Sequence, residues 1–298
     1  KPSVFLSFPC IWTKFQMGIL FKMPQKRLNI LLKIPIVNKL IQTKIKQGLG
    51  LDKAKYVLTG AAPLPVATMV WFDKLGIDIC EAYAMTENCA YSHLTRRGNK
   101  KLGTVGTPMP NCEIRIADDG EIQVKNEAIM LEYFKEPEKT QEALTQDGFL
   151  RTGDQGEIDE NNFLKITGRV KDIFKTDKGK YVAPAPIELE LSKNTNIEQV
   201  CVVGMNLPQT MALLVLSAEA KALDKAVLEA DLVATMQEVN KKFEKHERMK
   251  KLVVMQEEWT VDNNYITPTL KVKRNILEKD KSPYYEKWYK ETNEIIWE

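Results

Sequence analysis

The sequence has few cysteines and fewer histidines. Cys10, Cys80, Cys89, Cys112 and Cys201 are scattered over 298 residues without a Cys-x-x-Cys pair, and the only two histidines, His93 and His246, stand far apart. This spacing offers neither a disulfide framework nor a zinc site, and it fits a reducing compartment. Both histidines read as structural, since neither has an acid or nucleophile at interpretable spacing. No run approaches the ~20 apolar residues that span a bilayer, and no signal peptide with a cleavage site is present, so a cytoplasmic location is expected. Internal repeats and low-complexity tracts are missing. So is the Gly-x-x-x-x-Gly-Lys-Ser/Thr loop that would cradle nucleotide phosphates.

What is there is a globular composition: 44% apolar and 28% charged residues, enough for one large domain or two ordinary ones. The net charge of +3 hides an asymmetry. Residues 1–55 carry eleven Lys/Arg against one acid, Asp52, so this end is net +10 and the rest net −7. Such an end is either a solvated face of helices or a surface for an anionic membrane or a phosphorylated ligand. A nucleic-acid partner is not expected. Residue 1 is Lys rather than Met, which reads as a chain whose natural start lies upstream.

Residues 11–49 alternate apolar and basic positions at helical spacing, cut by Pro24 and Pro35 into short helices. Residues 55–60 read as a buried strand, 65–75 as a helix with Val66, Met69, Val70 and Leu75 inward and Gly76 as its stop, and 77–80 as a second strand. Together these form a β-α-β unit with a parallel sheet. Ligands bind outside the carboxyl ends of such strands, which directs attention to Gly60-Ala-Ala-Pro63 and Tyr83-Ala-Met-Thr-Glu-Asn88. From residue 103 to 167 the pattern changes to period-two strands with turns at Asp119-Gly120, Asp147-Gly148 and Asn161-Asn162, which predicts a small antiparallel unit shaped as a distorted barrel. Beyond Val170 the texture is strand (172–176), turn at Gly179, helix (186–193), strands (199–204 and 211–217), long helix (221–250) and strand (252–256). The aromatic clusters at Trp71-Phe72 and in residues 284–289 read as packing.

By residue chemistry alone, the Tyr83 to Asn88 segment offers an aromatic face, a hydroxyl and a carboxylate. These suit a purine, a phosphate oxygen and a Mg²⁺ ion that takes one or two carboxylates beside substrate phosphates. An ordinary strand-to-helix turn with Thr86 as the cap fits equally well. Asp154 could likewise be a simple Gly-Asp turn residue.

Five motifs in order resolve the choice. Gly60-Ala-Ala-Pro-Leu64, Tyr83-Ala-Met-Thr-Glu87, Arg151-Thr-Gly-Asp154, Gly168-Arg-Val-Lys-Asp172 and Thr267-Pro-Thr-Leu-Lys-Val-Lys-Arg274 resemble, in sequence, those of the acyl-adenylate-forming superfamily. The segment Phe174-Lys-Thr-Asp-Lys-Gly-Lys-Tyr-Val-Ala-Pro184 resembles its long-chain fatty acyl-CoA synthetases in particular. The resemblance implies that Gly60, Ala61 and Ala62 line the nucleotide, Tyr83 packs on adenine, Thr86 bonds the α-phosphate and Glu87 holds Mg²⁺. It also implies that Asp154, with Arg169, takes the ribose hydroxyls. Lys271 is then the ammonium between an attacking carboxylate and the α-phosphate, and Lys273 is the rival on this basic run. Lys171 is the pivot of the small domain, or else simply an exposed lysine, and a face near residues 178–181 would meet the thiol of coenzyme A.

The resemblance therefore implies an α/β fold with a separate α+β C-terminal domain. Residues 1–170 would form the end of a large AMP-binding domain, with a β-α-β sheet over 55–100 and a β-rich part over 101–168, and residues 171–298 a small mobile domain after the hinge. The implied activity is ATP- and Mg²⁺-dependent conversion of a long-chain fatty acid to acyl-AMP and then acyl-CoA. The alternatives are a non-catalytic adenylate-binding polypeptide, or a ligase for a carrier protein or an aromatic acid. Two departures stand out. The Ser/Thr/Gly-rich phosphate loop ending in Pro-Lys is absent from residues 1–298, so the chain reads as about the last half of such an enzyme. Ala84 occupies a position where Gly is usual, and so needs a negative φ or tolerated strain.

Overall fold

The computed structural model describes residues 1–298 apart from Thr269, and it divides the chain into two compact units, Lys1–Ile166 and Thr167–Glu298. The first unit opens with β1 (Val4–Ser7), followed by helices α1 (Pro9–Lys22), α2 (Gln25–Leu31) and α3 (Pro35–Gly48). Pro24 caps α2 and Pro35 opens α3, positions where a missing N–H costs nothing. Then come β2 (Tyr56–Thr59), α4 (Val66–Lys74) and β3 (Ile79–Tyr83), with β1, β2 and β3 pairing in parallel.

The core beneath this sheet is aromatic. Trp12 is fully buried, with its ring edge-on to Phe72 at 5.3 Å and to Phe5 at 5.4 Å, and the Trp71 indole N–H donates to Gln25 Oε1 at 2.7 Å. The inward face of α4 is Thr68, Met69, Trp71 and Phe72; Val66 and Val70, expected inward, are only half-buried. β3 starts two residues later than its apolar run suggests. The Gly76 N–H bonds to Asp73 O and the Ile77 N–H to Phe72 O, with Gly76 at φ +69°, so Ile77 belongs to the closure of α4.

Two short strands, β4 (His93–Leu94) and β5 (Thr107–Pro108), extend this sheet antiparallel beyond β3. Gly106 makes that possible. At φ +86° a Cβ here would lie 2.3 Å from Leu94 O, so only glycine lets the two backbones meet. A second sheet comprises β6 (Glu113–Ile116), β7 (Glu121–Lys125), β8 (Leu150–Ile158) and β9 (Leu164–Arg169), with α5 (Pro137–Ala143) between β7 and β8. It is an open sheet in chain order, not the expected barrel.

The second unit holds the short hairpin β10 (Phe174–Lys175) and β11 (Tyr181–Val182), then α6 (Pro184–Leu191), β12 (Ile197–Val203) and β13 (Thr210–Leu216). These are followed by α7 (Lys225–Asn240), β14 (Met249–Val254), α8 (Arg274–Lys281), α9 (Tyr285–Lys290) and β15 (Ile295–Trp297). Its main sheet runs β12-β13-β14-β15, antiparallel for the first pair and parallel for the other two. Every residue of β13 is buried. Ala212, Leu214 and Leu216 face α6 and α7, while Met211, Leu213 and Val215 face α8 and α9, the period-two alternation of a strand covered on both sides.

Helices on both faces make this unit more layered than the expected α+β arrangement. α7 is also shorter than expected. Asp224 caps its start by accepting from Ala226 N and Val227 N, and the Asn240 side chain ends it by pairing both ways with the Met249 backbone.

Candidate active site

Pairing of β2 with β3 places the two segments at their carboxyl ends side by side. Gly60 is buried, and a Cβ there would sit 3.1 Å from Ala82 O, so the first loop packs directly on the second strand. Ala61 and Ala62 are exposed, and Leu64 N donates to Glu81 Oε1 at 3.1 Å, tying the far end of the loop down. Tyr83, the last residue of β3, donates its hydroxyl to Asp154 Oδ2 at 2.9 Å across 71 residues of sequence. Its ring lies 6.1 Å from that of the buried His93, whose own pKa is pushed down to about 4 by burial.

Thr86 follows, exposed, at the head of a 3-10 turn, Thr86–Asn88. The capping role considered for Thr86 falls instead to Asn88, whose Oδ1 accepts from Met85 N at 3.1 Å. Two left-handed residues, Cys89 and Ala90, close the turn. Glu87 is fixed by the Tyr133 hydroxyl, 2.8 Å from its Oε1, and its carbonyl accepts from Met130 N.

Asp154 reaches Tyr83 because β8 is bulged. Glu121 pairs with Gln155 and Gln123 with Arg151, so three residues of β8 oppose one of β7. Gly153 takes φ +70° inside this bulge, and the buried Glu121 carboxylate accepts from its N–H at 3.0 Å and from Arg151 Nη1 at 3.3 Å. A bulge beside a site re-aims a side chain, and here it turns Asp154 toward β3. Asp154 is thus a strand residue at an irregularity, not a Gly-Asp turn.

Arg169 ends β9, and Lys171 lies exposed in the following 3-10 turn, Val170–Asp172. Lys271 is exposed and stands opposite Thr267. Thr267 N donates to Lys271 O at 2.8 Å, Lys271 N donates back to Thr267 Oγ1 at 3.0 Å, and Ile266 and Val272 pair below. Thr269 of this motif lies outside the described residues. Lys273 points elsewhere, since its ammonium donates to Asn264 Oδ1.

The first unit therefore brings together Gly60, Ala61, Ala62, Tyr83, Thr86, Glu87 and Asp154, while Arg169, Lys171 and Lys271 belong to the second. Three supporting residues escape sequence reading: Glu81, Glu121 and Tyr133. A carboxylate in the middle of the apolar run Ile79-Cys-Glu-Ala-Tyr83 is a usable signal for the first. The other two announce themselves only through contacts distant in sequence.

This is the fold of the adenylate-forming enzymes. The adenylation domain of a carboxylate reductase from Mycobacterium chelonae superposes with a TM-score of 0.75 at 19% identity, covering 97% of this chain and 47% of that one. The A domain of the carboxylic acid reductase of Segniliparus rugosus, solved with AMP and a co-purified carboxylic acid, gives 0.74 at 19% over 97% and 47%. The sequence matches the AMP-binding enzyme family over residues 1–134 and the AMP-binding enzyme C-terminal domain over residues 171–292. The chain belongs to the AMP-binding enzyme family, with long-chain fatty-acid–CoA ligases among its relatives. One of these, FadD15 of Mycobacterium bovis, is 33% identical over 81% of this chain and 43% of its own length. Long-chain-fatty-acid–CoA ligase 5 of Rattus norvegicus is also 33% identical, over 88% and 43%. The chain thus spans about half the length of the curated relatives it matches.

Ala84, where the resembled motif has glycine, is not among the left-handed residues, so it carries no such strain. Ala61 and Leu270 do, since both hold φ above +60°. Replacing either with glycine relieves a left-handed penalty of about 1–2 kcal/mol against a backbone-entropy loss of roughly 0.5–1 kcal/mol. Ala61→Gly and Leu270→Gly should therefore each raise stability by about 0.5–1 kcal/mol and add when combined, as read from urea midpoints.

Glu81 generates a pH prediction. Burial pushes its carboxyl up to about 7 from an ordinary 4.5. A group that holds its proton more tightly when folded contributes stability at low pH and loses it as pH rises from 4.5 to about 7, by on the order of 3 kcal/mol. Glu81→Gln, which keeps the acceptor for Leu64 N, should match the native chain near pH 4.5, exceed it in stability at pH 7.5, and flatten the dependence of the unfolding midpoint between them.

Proposed function

We propose that the protein carrying this chain activates a long-chain fatty acid with ATP and transfers it to coenzyme A. The observation that carries this reading is the bond from the Tyr83 hydroxyl to Asp154. It sets an aromatic face and a carboxylate side by side at the carboxyl ends of parallel strands, with Thr86 and Glu87 three and four residues on. Tyr83 packs on adenine, and Asp154 accepts from the ribose hydroxyls with Arg169 as its cationic companion. Backbone groups of Gly60, Ala61 and Ala62 line the nucleotide, and Thr86 bonds the α-phosphate. Glu87 is the Mg²⁺ ligand. Mg²⁺ takes one or two carboxylates beside substrate phosphates, a role Glu87 would fill. When bound, the ion supplies neutralisation of phosphate charge.

A carboxylate oxygen of the acid attacks the α-phosphorus and pyrophosphate leaves. Lys271 stabilises the two approaching anions as a compact cation. The thiol sulfur of coenzyme A then attacks the acyl carbon and AMP leaves, with Lys171 as the pivot between the two steps and the exposed Tyr181 face of the β10–β11 hairpin serving the second. Long-chain specificity is supported by the 33%-identical relatives. The full natural-length protein should catalyse fatty-acid-dependent ATP–pyrophosphate exchange. Lys271→Ala should lower it about 10²-fold or more while Lys273→Ala stays near the native rate. No exchange with any acid would sink the activity, exchange only with aromatic acids would transfer it to them, and acylation of a carrier protein in place of coenzyme A would change the acceptor.

The basic first 55 residues support a contact with an anionic bilayer surface. Phe21, Ile30, Ile36 and Leu40 are 91%, 63%, 77% and 59% exposed, beside the exposed Lys22, Lys26, Arg27, Lys33 and Lys39. Among the described residues no helix is long and apolar enough to cross a membrane. The protein should sediment with phosphatidylserine vesicles at low salt and not with phosphatidylcholine vesicles. Equal binding to both, or to neither, would remove the contact.

A further inference from the structure

Three residues beyond Lys271, Arg274 opens α8 and turns its guanidinium inward, with only 13% of the side chain exposed. Nη1 donates to Val202 O, Nη2 donates to Glu188 Oε1, and Nε stands 3.9 Å from Asp172 Oδ2. Glu188 Oε1 also accepts from Val202 N at 2.7 Å. This one side chain at the base of the lysine loop hydrogen-bonds α6 and β12, and its buried Nε, which makes no hydrogen bond among the described residues, faces the 3-10 turn that contains Lys171 as a 3.9 Å ion pair with Asp172.

Burial works against a charge here, and the carboxylates of Glu188 and Asp172 more than compensate, holding Arg274 above its ordinary pKa. The same pocket holds Glu278, whose carboxyl burial pushes up, and the fully buried Cys201 thiol. A buried ion cluster is a poor device for stability alone, since well-packed apolar residues of the same volume do as well or better. Its value lies in fixing one geometry. The geometry fixed in this case is that of two segments with roles under the reading proposed above, on which this inference rests.

We propose that Arg274 is a positioning residue that locks the Lys271 loop to the segment 169–172, so that loop and pivot move as one rigid body. Rotation about Lys171 then carries the Lys271 ammonium through a defined arc. Without the lock, the pivot would turn while the loop lagged.

The test uses the full natural-length protein with Arg274→Met, Arg274→Lys, Asp172→Asn and the double variant Arg274→Met/Asp172→Asn. Hydrogen exchange is followed in residues 168–172 and 265–273 beside single-turnover acyl-adenylate formation. Arg274→Met should speed exchange at least tenfold in both segments and lower the adenylation rate ten- to hundredfold with KM for ATP within twofold. Asp172→Asn should add nothing in that background, and Arg274→Lys should recover part of both losses. Acceleration in only one segment, losses that multiply in the double variant, or a Lys variant no better than Met would overturn the lock. If Arg274→Met fails to fold, the exchange of Asp172→Asn and Arg274→Lys decides: raised in both segments supports the lock, raised in one or neither ends it. A native protein without adenylation activity would defeat the proposed function, while the exchange measurements would still judge the lock.

Discussion

The hydrogen bond from Tyr83 to Asp154 depends on an irregularity in a different sheet, where β7 pairs with β8. In a regular ladder, Asp154 would alternate with its neighbours across the sheet and face where the pleat dictates. Three residues of β8 opposing one of β7 break that rule, and the break leaves a backbone N–H at Gly153 without a ladder partner. Glu121 supplies the missing acceptor from inside the fold. The buried Asp154 carboxylate is therefore aimed by a second buried carboxylate, that of Glu121. The pairing of Tyr83 with Asp154 joins the parallel sheet to the antiparallel one at the point where the motifs converge.

The same economy appears at the two left-handed positions. Ala61 and Leu270 keep the backbone that glycine adopts freely, at a cost of about 1–2 kcal/mol each for an L-residue. Both sit at exposed turns held at their flanks: Gly60 against Ala82 and Leu64 bonded to Glu81 on one side, Thr267 closing both ends of the lysine loop on the other. Strain of this size persists only where surrounding contacts over-determine the conformation, and those contacts are present here.

Much of this was legible in the residues. The β-α-β core, the proline-cut helices and the strands at 199–204 and 211–217 follow from apolar patterning and turn signals. Boundaries slipped where a local hydrogen bond outranked hydropathy. Ile77 is apolar enough for a strand, but its N–H closes α4; α7 stops at Asn240 because that side chain grips Met249. β1 does not stand out in the sequence, because four residues carry too little pattern. At the candidate site, the ordered motifs that resemble the family point to Tyr83, Thr86, Glu87, Asp154 and Lys271, whereas residue chemistry alone leaves an ordinary turn open. Glu121 and Tyr133 were invisible because their work is done by contacts that no linear spacing encodes.

The two units solve one problem with opposite materials. A residue that must meet a charged, diffusing substrate has to be exposed, while its position must be held to a fraction of an ångström, which needs burial nearby. In the first unit a single buried acid near neutrality, Glu81, holds the loop at Leu64, so the hold weakens or tightens with its proton. In the second unit the anchor is Arg274, a cation that stays charged at any physiological pH. Under the function proposed above, a loop whose lysine keeps its place through a rotation is served by the anchor that does not titrate, and a loop that closes over a nucleotide tolerates one that does.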